Sequence, residues 1–356
     1  MADNVQNPGT GGNKPKPTGS GGGQSAKDQS RAASRPVAAK GAGAAGKGGN
    51  TPRPGRPAAP SSGPKSSQRG VFLAWGAVAL VIIVIGVLFI VKATSNTTQN
   101  LSYTPVTAAP AQVVKDVTTI PLSTWNKVGV TSGTTPVAKP TVLSGQPPMT
   151  INGKSPAMLY YGAEYCPYCA AERWAMTTAL ARFGTWSNLQ ITASSHTDVD
   201  AKTSTFSFHG ATLDSPYITF QGVEQYTNIP VAGSPNQYTN LQNPTKAEAS
   251  ILTKYSSSKF LPNASTSGGI SFPFVDINNS VLFSGASYDP QILANLSWTD
   301  ISSGLSDPTN PVTQAILATG NYMSAAICHA TKGQPGSVCT SSGVQAAARA
   351  LGISAS

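Results

Sequence analysis

Two cysteines three positions apart, Cys166 and Cys169, are the residues best suited to chemistry in this chain of 356 residues. A Cys-x-x-Cys pair can close a disulfide and exchange it with the thiols of another molecule. The attacking group must be a thiolate, which the N-terminus of a helix favours, because unpaired backbone N–H groups and the helix dipole stabilise negative charge there. We therefore predict a redox site in which Cys166 is the exposed attacking thiol and Cys169 the more buried resolving thiol.

The sequence around this pair predicts a strand before it and a helix after it. Residues 157–162 form an apolar, strand-like run. After the pair, apolar residues recur at the spacing of one face of an amphipathic helix: Met176, Ala179, Leu180 and Phe183. A Cys-x-x-Cys motif between a strand and a helix is typical of a redox-active dithiol. A purely structural disulfide and a metal site are the alternatives for this pair.

A second pair of cysteines, Cys328 and Cys339, flanks a turn-forming loop at residues 332–336. We predict a structural disulfide that closes this loop, which by the loop-entropy argument stabilises the fold by about 2–3 kcal/mol. Two alternatives are open. The pair could relay electrons to or from the first pair. With the adjacent His329 it could also complete a zinc site, although its spacing matches that of zinc knuckles poorly.

The other polar side chains near the motif are expected to have lesser roles. Glu164 or Glu172 could take a proton from Cys169, but the sequence favours solvated carboxylates at both positions. Tyr165 and Trp174 are expected to pack around the disulfide. The three histidines are expected at the surface or at helix ends: His196, His209 and His329. The sequence contains no phosphate-binding loop and no carboxylate-rich metal pattern, so we expect neither a cofactor nor a metal.

Almost all of the net charge lies in the first 70 residues. Of the formal charge of +10, residues 1–70 carry +9, from 11 basic and 2 acidic side chains. Gly, Pro, Ala and Ser dominate this segment, and it has too few large apolar side chains to offset the chain entropy lost on folding. We expect a disordered basic tail, attracted at most weakly to anionic lipid. The high pI therefore says nothing of the folded part, and no nucleic-acid partner is expected.

A membrane-spanning segment is predicted at residues 71–91. These 21 residues carry no charge and lie between Arg69 and Lys92, and this length spans the bilayer core as a helix. The excess of basic residues before it places the tail in the cytoplasm. Residues 92–116 then form an extracytoplasmic linker, and residues 117–353 form the folded domain. All four cysteines lie outside, where disulfides form and persist.

The remaining patterns predict an α/β domain with several short elements. We expect a short helix at residues 123–128, a hairpin at 149–161 with its turn at Asn152 and Gly153, a strand at 189–193, a strand at 217–220, a helix at 244–256 capped by Asn243, a hairpin at 270–283, and C-terminal helices around 290–295, 311–329 and 343–351.

This order of elements resembles the thioredoxin fold. The resemblance implies that Pro273, which opens the second hairpin, follows a cis peptide bond, lies beside the disulfide and shapes the groove that binds substrate. About 80 residues separate the strand at 189–193 from Pro273. We therefore expect an insertion around residues 196–240, whose role the sequence does not reveal.

A closer resemblance is to the DUF929 family. It rests on the sequence AEYCPYCAAERW at residues 163–174, on residues 194–198 and 217–220, and on Cys328 with Cys339. Members of that family are membrane-anchored proteins of archaea and actinobacteria without an established function.

The sequence leads to one function and one rival. We expect a membrane-anchored, extracytoplasmic thiol–disulfide oxidoreductase that acts on exported proteins and is reset by a membrane redox partner. The rival is a non-catalytic binding or scaffold protein on the same fold.

Overall fold

The computed structural model describes residues 103–130, 136–261 and 270–356. The expected basic tail (1–70), the expected membrane span (71–91) and the first part of the expected linker lie outside the described residues. Among the helices described here, none is both long and apolar enough to cross a membrane.

The described residues form twelve strands and eight helices in a mixed α/β arrangement. In chain order these are β1 (Thr107–Ala108), α1 (Ala111–Thr118), α2 (Leu122–Val128), β2 (Thr141–Val142), β3 (Ala157–Gly162), α3 (Pro167–Leu180), β4 (Thr185–Ser187), β5 (Gln190–Ala193), β6 (Ser204–Ser207), β7 (Thr212–Asp214), β8 (Thr219–Glu224), β9 (Tyr226–Val231), β10 (Ser234–Asn240), α4 (Lys246–Tyr255), β11 (Phe274–Ile277), β12 (Val281–Ser284), α5 (Trp298–Gly304), α6 (Pro311–Ala330), α7 (Gly336–Cys339) and α8 (Ser342–Leu351). A 3-10 helix at Pro290–Leu293 precedes α5.

A five-stranded sheet in the order β2-β12-β11-β3-β8 forms the centre. Strand β3 runs parallel to β8, with Ala157 opposite Thr219, and antiparallel to β11, with Tyr161 opposite Phe274. All six residues of β3 are buried, as expected for an apolar strand that is covered on both faces.

Alternate residues of β3 face two separate hydrophobic clusters. Met158 and Tyr160 pack with α3 and α6 on one face. Leu159 and Tyr161 pack on the other face, with Leu252 of α4. This division follows from the two-residue period of a strand. In α3, which packs against α6, every residue except Tyr168 is buried.

The two strands predicted at 189–193 and 217–220 lie in different sheets. Residues 190–193 do form a strand, β5, but it pairs with β1 and β6 in a separate sheet. The parallel neighbour of β3 is β8, which begins within the strand expected at 217–220. Four of the six residues of β8 are only partly buried, because it is an edge strand, so its apolar signal is weak.

Strand β8 lies within the insertion expected at 196–240 and divides the chain around it into two parts. One part lies between α3 and β8 and forms the pairs β4–β7 and β5–β6. The other part follows β8 and forms the hairpin of β9 and β10. This hairpin approaches the Cys-x-x-Cys motif.

Several local predictions are confirmed and others need correction. The hairpin of β11 and β12 turns at Asn278 and Asn279, both with positive φ. Helix α4 begins at Lys246 and is capped by Thr245 rather than by Asn243, because Thr245 and Glu248 form a reciprocal capping box.

The hairpin expected at 149–161 is only partly formed. Asn152 and Gly153 adopt the left-handed conformation of a tight turn. The turn is closed by a single bridge between Ile151 and Lys154, and β3 continues into the central sheet instead of pairing back.

The N-terminal boundary and the C-terminal helices of the described domain also differ in detail from those predicted from the sequence. Strand β1 and helix α1 lie at or before the expected boundary at residue 117, and Val113 and Val117 are buried against the core. Three C-terminal elements form close to the positions predicted, at Pro290–Leu293, α6 and α8. Helix α5 was missed, although Ser297 and Asp300 carry the spacing of a capping box.

Candidate functional site

Cys166 lies at the N-terminus of α3. Its backbone is extended (φ −79°, ψ 121°), and its sulfur accepts a hydrogen bond from the backbone N–H of Cys169 at 3.3 Å. Pro167 occupies the first turn, where its fixed φ suits a helix and its missing N–H costs nothing. Both cysteines are free thiols. The sulfur of Cys166 therefore occupies the position of an N-cap acceptor.

Cys166 is buried, which corrects the expectation of an exposed attacking thiol. The exposed fraction is 5% for Cys166 and 0% for Cys169. The ring of Tyr165 stacks on Tyr238 of β10, with centroids 3.9 Å apart and planes at 4°. Tyr226 of β9 lies 6.2 Å from the same ring. The hairpin of β9 and β10 thus brings Tyr226 and Tyr238 to Tyr165, which directly precedes Cys166, and the sequence could not reveal this approach.

The Pro273 loop reaches the same place. The Phe272–Pro273 peptide bond is cis, as expected, and Pro273 is buried. The ring of Phe272 lies 6.4 Å from that of Tyr165. The pairing of β11 with β3 brings this loop there, because Phe274 lies opposite Tyr161. The structure thus brings the loop of Pro273 to the segment that carries Cys166.

The two thiols differ in acidity. The pKa of Cys166 is lowered, chiefly by the hydrogen bond from the Cys169 thiol and also by the backbone N–H of Cys169 and the charge of Arg173, against the effect of burial. Burial raises the pKa of Cys169 well above its usual range, and the hydrogen bond to Cys166 adds to this. The arrangement therefore favours a thiolate at Cys166 and a protonated thiol at Cys169.

A buried ion pair lies on α3 one turn after Cys169. Arg173 donates from Nε and Nη2 to the two carboxylate oxygens of Glu224, at 2.8 and 2.7 Å. Both side chains are fully buried. Nη2 also donates to the carbonyl of Ala163 at 2.6 Å. Sequence reasoning missed this pair because its partners are 51 residues apart; the one available signal was an arginine four residues after Cys169.

The two glutamates that flank the motif are also buried, so solvated carboxylates were the wrong expectation. Glu164 accepts a hydrogen bond from Ser207 at 2.7 Å, and its pKa is raised by burial and then by the charge of Glu224. Glu172 accepts hydrogen bonds from the backbone N–H and the hydroxyl of Ser287, at 2.8 and 2.9 Å. Burial raises the pKa of Glu172 to about 7.

The second pair of cysteines forms the predicted disulfide. The Cys328 and Cys339 sulfurs are 1.98 Å apart, and both residues are buried where α6 meets α7. Because these sulfurs are bonded to each other, the four-ligand zinc site considered from the sequence is not formed. The electron-relay alternative stays a hypothesis.

The remaining sequence candidates occupy structural positions. Trp174 is buried against Phe206 of β6, and its Nε1 donates to a backbone carbonyl. His209 is exposed, and His329 hydrogen-bonds the carbonyl of Ser354 at 2.9 Å near the end of α6. His196 is partly buried in the loop that follows β5.

Comparison with known proteins places the chain in one family. The family model described as domain of unknown function DUF929 matches residues 140–329, which is more than half of the chain. The matched region contains Cys166, Cys169, Pro273 and Cys328. No curated protein and no solved structure matches the chain. The chain belongs to the DUF929 family.

Proposed function

We propose that this protein catalyses thiol–disulfide exchange through Cys166 and Cys169. The observation that carries the proposal is the pair of free thiols at the start of α3, where the N–H of Cys169 donates to the sulfur of Cys166. The pKa of Cys166 is lowered and that of Cys169 is raised. A lowered pKa suits an attacking thiol, because it favours the reactive thiolate. A raised pKa suits a resolving thiol, because it keeps that thiol protonated until a mixed disulfide has formed.

The reaction balances as an exchange of sulfur bonds. The Cys166 thiolate attacks one sulfur of a substrate disulfide, forms a mixed disulfide and releases the other sulfur as a thiolate. Cys169 then attacks the Cys166 sulfur, the bond to the substrate breaks, and the proton lost by Cys169 ends on the second substrate thiol. Cys166 and Cys169 are oxidised by two electrons, and the substrate disulfide is reduced. The reverse sequence oxidises a substrate dithiol.

The order of the central elements supports a thioredoxin-like arrangement for this domain. Strand β3, helix α3, the parallel strand β8, helix α4, the hairpin of β11 and β12, and helix α6 follow one another along the chain. Pro273 lies immediately before β11, and its neighbour Phe272 approaches Tyr165. In this proposal the Pro273 loop forms one wall of the substrate groove.

The substrates in this proposal are exported proteins, and the enzyme is held at the outer side of the cell membrane. The uncharged segment at residues 71–91 and the charge of the preceding tail support this orientation. The Cys328–Cys339 disulfide supports an oxidising compartment. A membrane-bound redox partner would return Cys166 and Cys169 to their working state.

The proposal is tested by trapping the mixed disulfide in cells that carry the full-length chain. With Cys169→Ala, Cys166 has no internal thiol to release it, so adducts of high mass should appear on non-reducing gels and vanish with dithiothreitol. Cys166→Ser should trap little, and the double variant nothing. If neither single variant forms adducts above the level of the double variant, thiol exchange is not the function.

One observation favours the rival function, a non-catalytic binding protein. Cys166 is only 5% exposed, and the ring of Tyr165 next to it is stacked on Tyr238. A purely structural pair would resist modification in the native protein. The rate at which a thiol reagent reaches Cys166 therefore separates the two functions.

A further inference from the structure

Arg173 occupies the position on α3 from which it can act on Cys169. The two residues are four apart and lie on the same face of the helix. Helical side chains lean toward the N-terminus, so the Arg173 side chain extends over the turn that carries Cys169. The hydrogen bond from Nη2 to the carbonyl of Ala163 fixes the guanidinium against the loop that leads into the motif.

Glu224 neutralises the charge of Arg173 but leaves some of the N–H donors of the guanidinium unused. Nε and Nη2 bind the carboxylate and the Ala163 carbonyl, whereas Nη1 is buried and has no hydrogen-bond partner among the described residues. A guanidinium has five N–H donors in a fixed plane, and Nη1 carries two of them. A buried cationic donor without a partner is costly, so negative charge arriving nearby would be favoured.

Tyr160 links the ion pair to the sulfur of Cys169. Its hydroxyl donates to Glu224 at 3.4 Å, and the Arg173 guanidinium lies 5.7 Å from the centre of its ring. The Tyr160 hydroxyl and the Cys169 sulfur both lie close to Gly162. A Cβ at this position would overlap the hydroxyl and would lie 2.9 Å from Cys169 Sγ. Gly162 thus allows the polar cluster beneath Cys169, formed by Tyr160, Arg173 and Glu224, to reach the sulfur.

The resolving step requires a negative charge on the Cys169 sulfur, and the burial of Cys169 opposes this charge. Cys169 must become a thiolate inside the core before it can attack the mixed disulfide. The titratable and charged groups around it are Cys166 at the start of α3, Tyr160 on β3, Glu164 and Tyr165 in the loop between them, Arg173 on α3 and Glu224 on β8. Arg173 is the cation of this set, and its charge favours the thiolate.

We propose that Arg173 stabilises the Cys169 thiolate while Cys169 releases the substrate, and that Glu224 positions Arg173 and limits its effect. This inference rests on the proposed function. In the step concerned, the bond between the Cys166 sulfur and the substrate sulfur breaks, and the bond between the Cys166 and Cys169 sulfurs forms. The proton of Cys169 ends on the departing substrate thiol. Arg173 stabilises the negative charge on the Cys169 sulfur, but it forms no covalent bond and transfers no proton, so it is a positioning residue.

Substitutions of the two partners of the ion pair should have opposite effects on the rate of the resolving step. Arg173→Met removes the stabilising charge, so the resolving step should slow by about tenfold near pH 7, equivalent to a rise of one unit in the pKa of Cys169. Glu224→Gln leaves Arg173 without its counter-charge, so the resolving step should accelerate and its pH midpoint should fall. The double variant Arg173→Met with Glu224→Gln leaves no unpaired buried charge and should still be slower than the unaltered protein.

Both steps can be followed in the reduced full-length chain with dithionitrobenzoate, which releases a coloured thiolate at each step. The first release reports attack by Cys166, and the second reports resolution by Cys169. Arg182→Met is the matched control. Arg182 is a partly buried arginine two residues after the end of α3, and its hydrogen-bond partners Asn321, Ser324 and Ser341 are neutral. It should lower stability and leave the second release unchanged.

The outcomes separate the inference from the function on which it rests. Slower second release in Arg173→Met and in the double variant, with faster release in Glu224→Gln, supports the inference. If both single variants slow the second release, the pair is only structural; if neither changes it, Arg173 has no role there. If Arg173→Met does not fold, the double variant and the sign of the Glu224→Gln effect decide. If the unaltered protein shows no first release, the proposed function fails before this inference is reached.

Discussion

Tyr238 brings the hairpin of β9 and β10 against Tyr165, the residue that directly precedes Cys166. Its ring lies flat on that of Tyr165, and its hydroxyl is 3.1 Å from that of Thr197. Stacked aromatic pairs are worth about 0.5–1.5 kcal/mol beyond the area that they bury. The stack therefore holds Tyr165 against β10 with a free energy that the binding of a substrate could offset.

Removing this ring should expose the attacking thiol. In Tyr238→Ala we expect Cys166 to be alkylated by iodoacetamide about 2–10 times faster, the ratio that corresponds to the loss of one aromatic contact. The rate can be measured by mass spectrometry of the Cys166 peptide. Tyr238→Phe is the matched control, because it keeps the ring and loses only the hydroxyl, and it should react like the unaltered protein. Equal rates in all three proteins would show that the stack does not limit access.

Two buried carboxylates, Glu172 and Asp276, make the stability of the domain depend on pH. Burial raises the pKa of Glu172 on α3 and of Asp276 on β11 to about 7 in each case. In the unfolded chain both groups titrate near pH 4. Between these values the folded protein holds more protons than the unfolded chain, so its stability falls as the pH rises.

We therefore expect the free energy of unfolding to decrease between about pH 4 and pH 7 and to level off above. Glu172→Gln should remove part of this slope, on the order of 2 kcal/mol over the whole window. Glutamine can still bond Ser287, because the Ser287 hydroxyl can turn to accept from the amide. Urea unfolding at several pH values measures the effect. A slope that is the same in Glu172→Gln would show that Glu172 is not protonated preferentially in the folded state.

At the residue scale the sequence identifies the thiols but not their surroundings. Cys166, Cys169 and Pro273 carry their own signals in residue type and spacing. The pairing of Arg173 with Glu224 and the stacking of Tyr238 on Tyr165 depend on contacts between distant parts of the chain. No local pattern encodes such contacts.

At the scale of elements, the disulfide between Cys328 and Cys339 joins the end of α6 to α7. Both sulfurs are buried, and the bond closes a sequence separation of 11 residues. Its effect on stability comes mainly from restricting the unfolded chain.

This bond should be the last to open under reduction. We expect it to survive dithiothreitol concentrations that keep Cys166 and Cys169 fully reduced, because the lowered pKa of Cys166 makes its sulfur a good leaving group and its disulfide the easier one to reduce. Replacing both Cys328 and Cys339 with Ser should cost about 2–3 kcal/mol and lower the Tm by roughly 5–10 °C. Differential scanning calorimetry gives the Tm, and the two-step reagent assay gives the exchange rate. Loss of exchange at an unchanged Tm would support the electron-relay alternative instead.

How well an element could be predicted depends on how local its signal is. Helix α6 begins with Asn310 as cap and Pro311 in its first turn, and the hairpin of β11 and β12 has its own turn residues, so both were found. Strand β8 overlaps the strand predicted at 217–220 by only two residues, and its partner was not predicted. Its pairing with β3 joins residues about 60 positions apart, and only the fold decides between β5 and β8 as the neighbour of β3.

At the scale of the whole molecule, the sequence predicts an arrangement about the membrane that can be tested directly. The charge distribution around residues 71–91 predicts that the N-terminal tail is cytoplasmic. Protease added to spheroplasts should therefore digest the cysteine-bearing domain and spare an epitope placed on the tail. Immunoblots against both ends give the result, with lysed cells as the control for protease access. Digestion of the tail alone would reverse the orientation and remove exported proteins as substrates.

The general architecture was more predictable than the arrangement of the inserted chain. A mixed α/β domain with a Cys-x-x-Cys helix follows from hydrophobic periodicity and turn residues. Strands β4 to β7 have only three or four residues each, and β10 is composed mainly of polar residues, from Ser234 to Asn240. Such segments have little intrinsic preference that a sequence can reveal.

The central claim is that Cys166 and Cys169 form one reversible dithiol–disulfide couple. The most direct measurement equilibrates the full-length protein in glutathione buffers of graded ratio and counts free thiols by the mass added with a maleimide. The account predicts that these two thiols disappear together, as one intramolecular disulfide, at a defined potential, while Cys328 and Cys339 stay bonded throughout. Two thiols that stay free across the whole range, or that take up glutathione separately without joining, would contradict it.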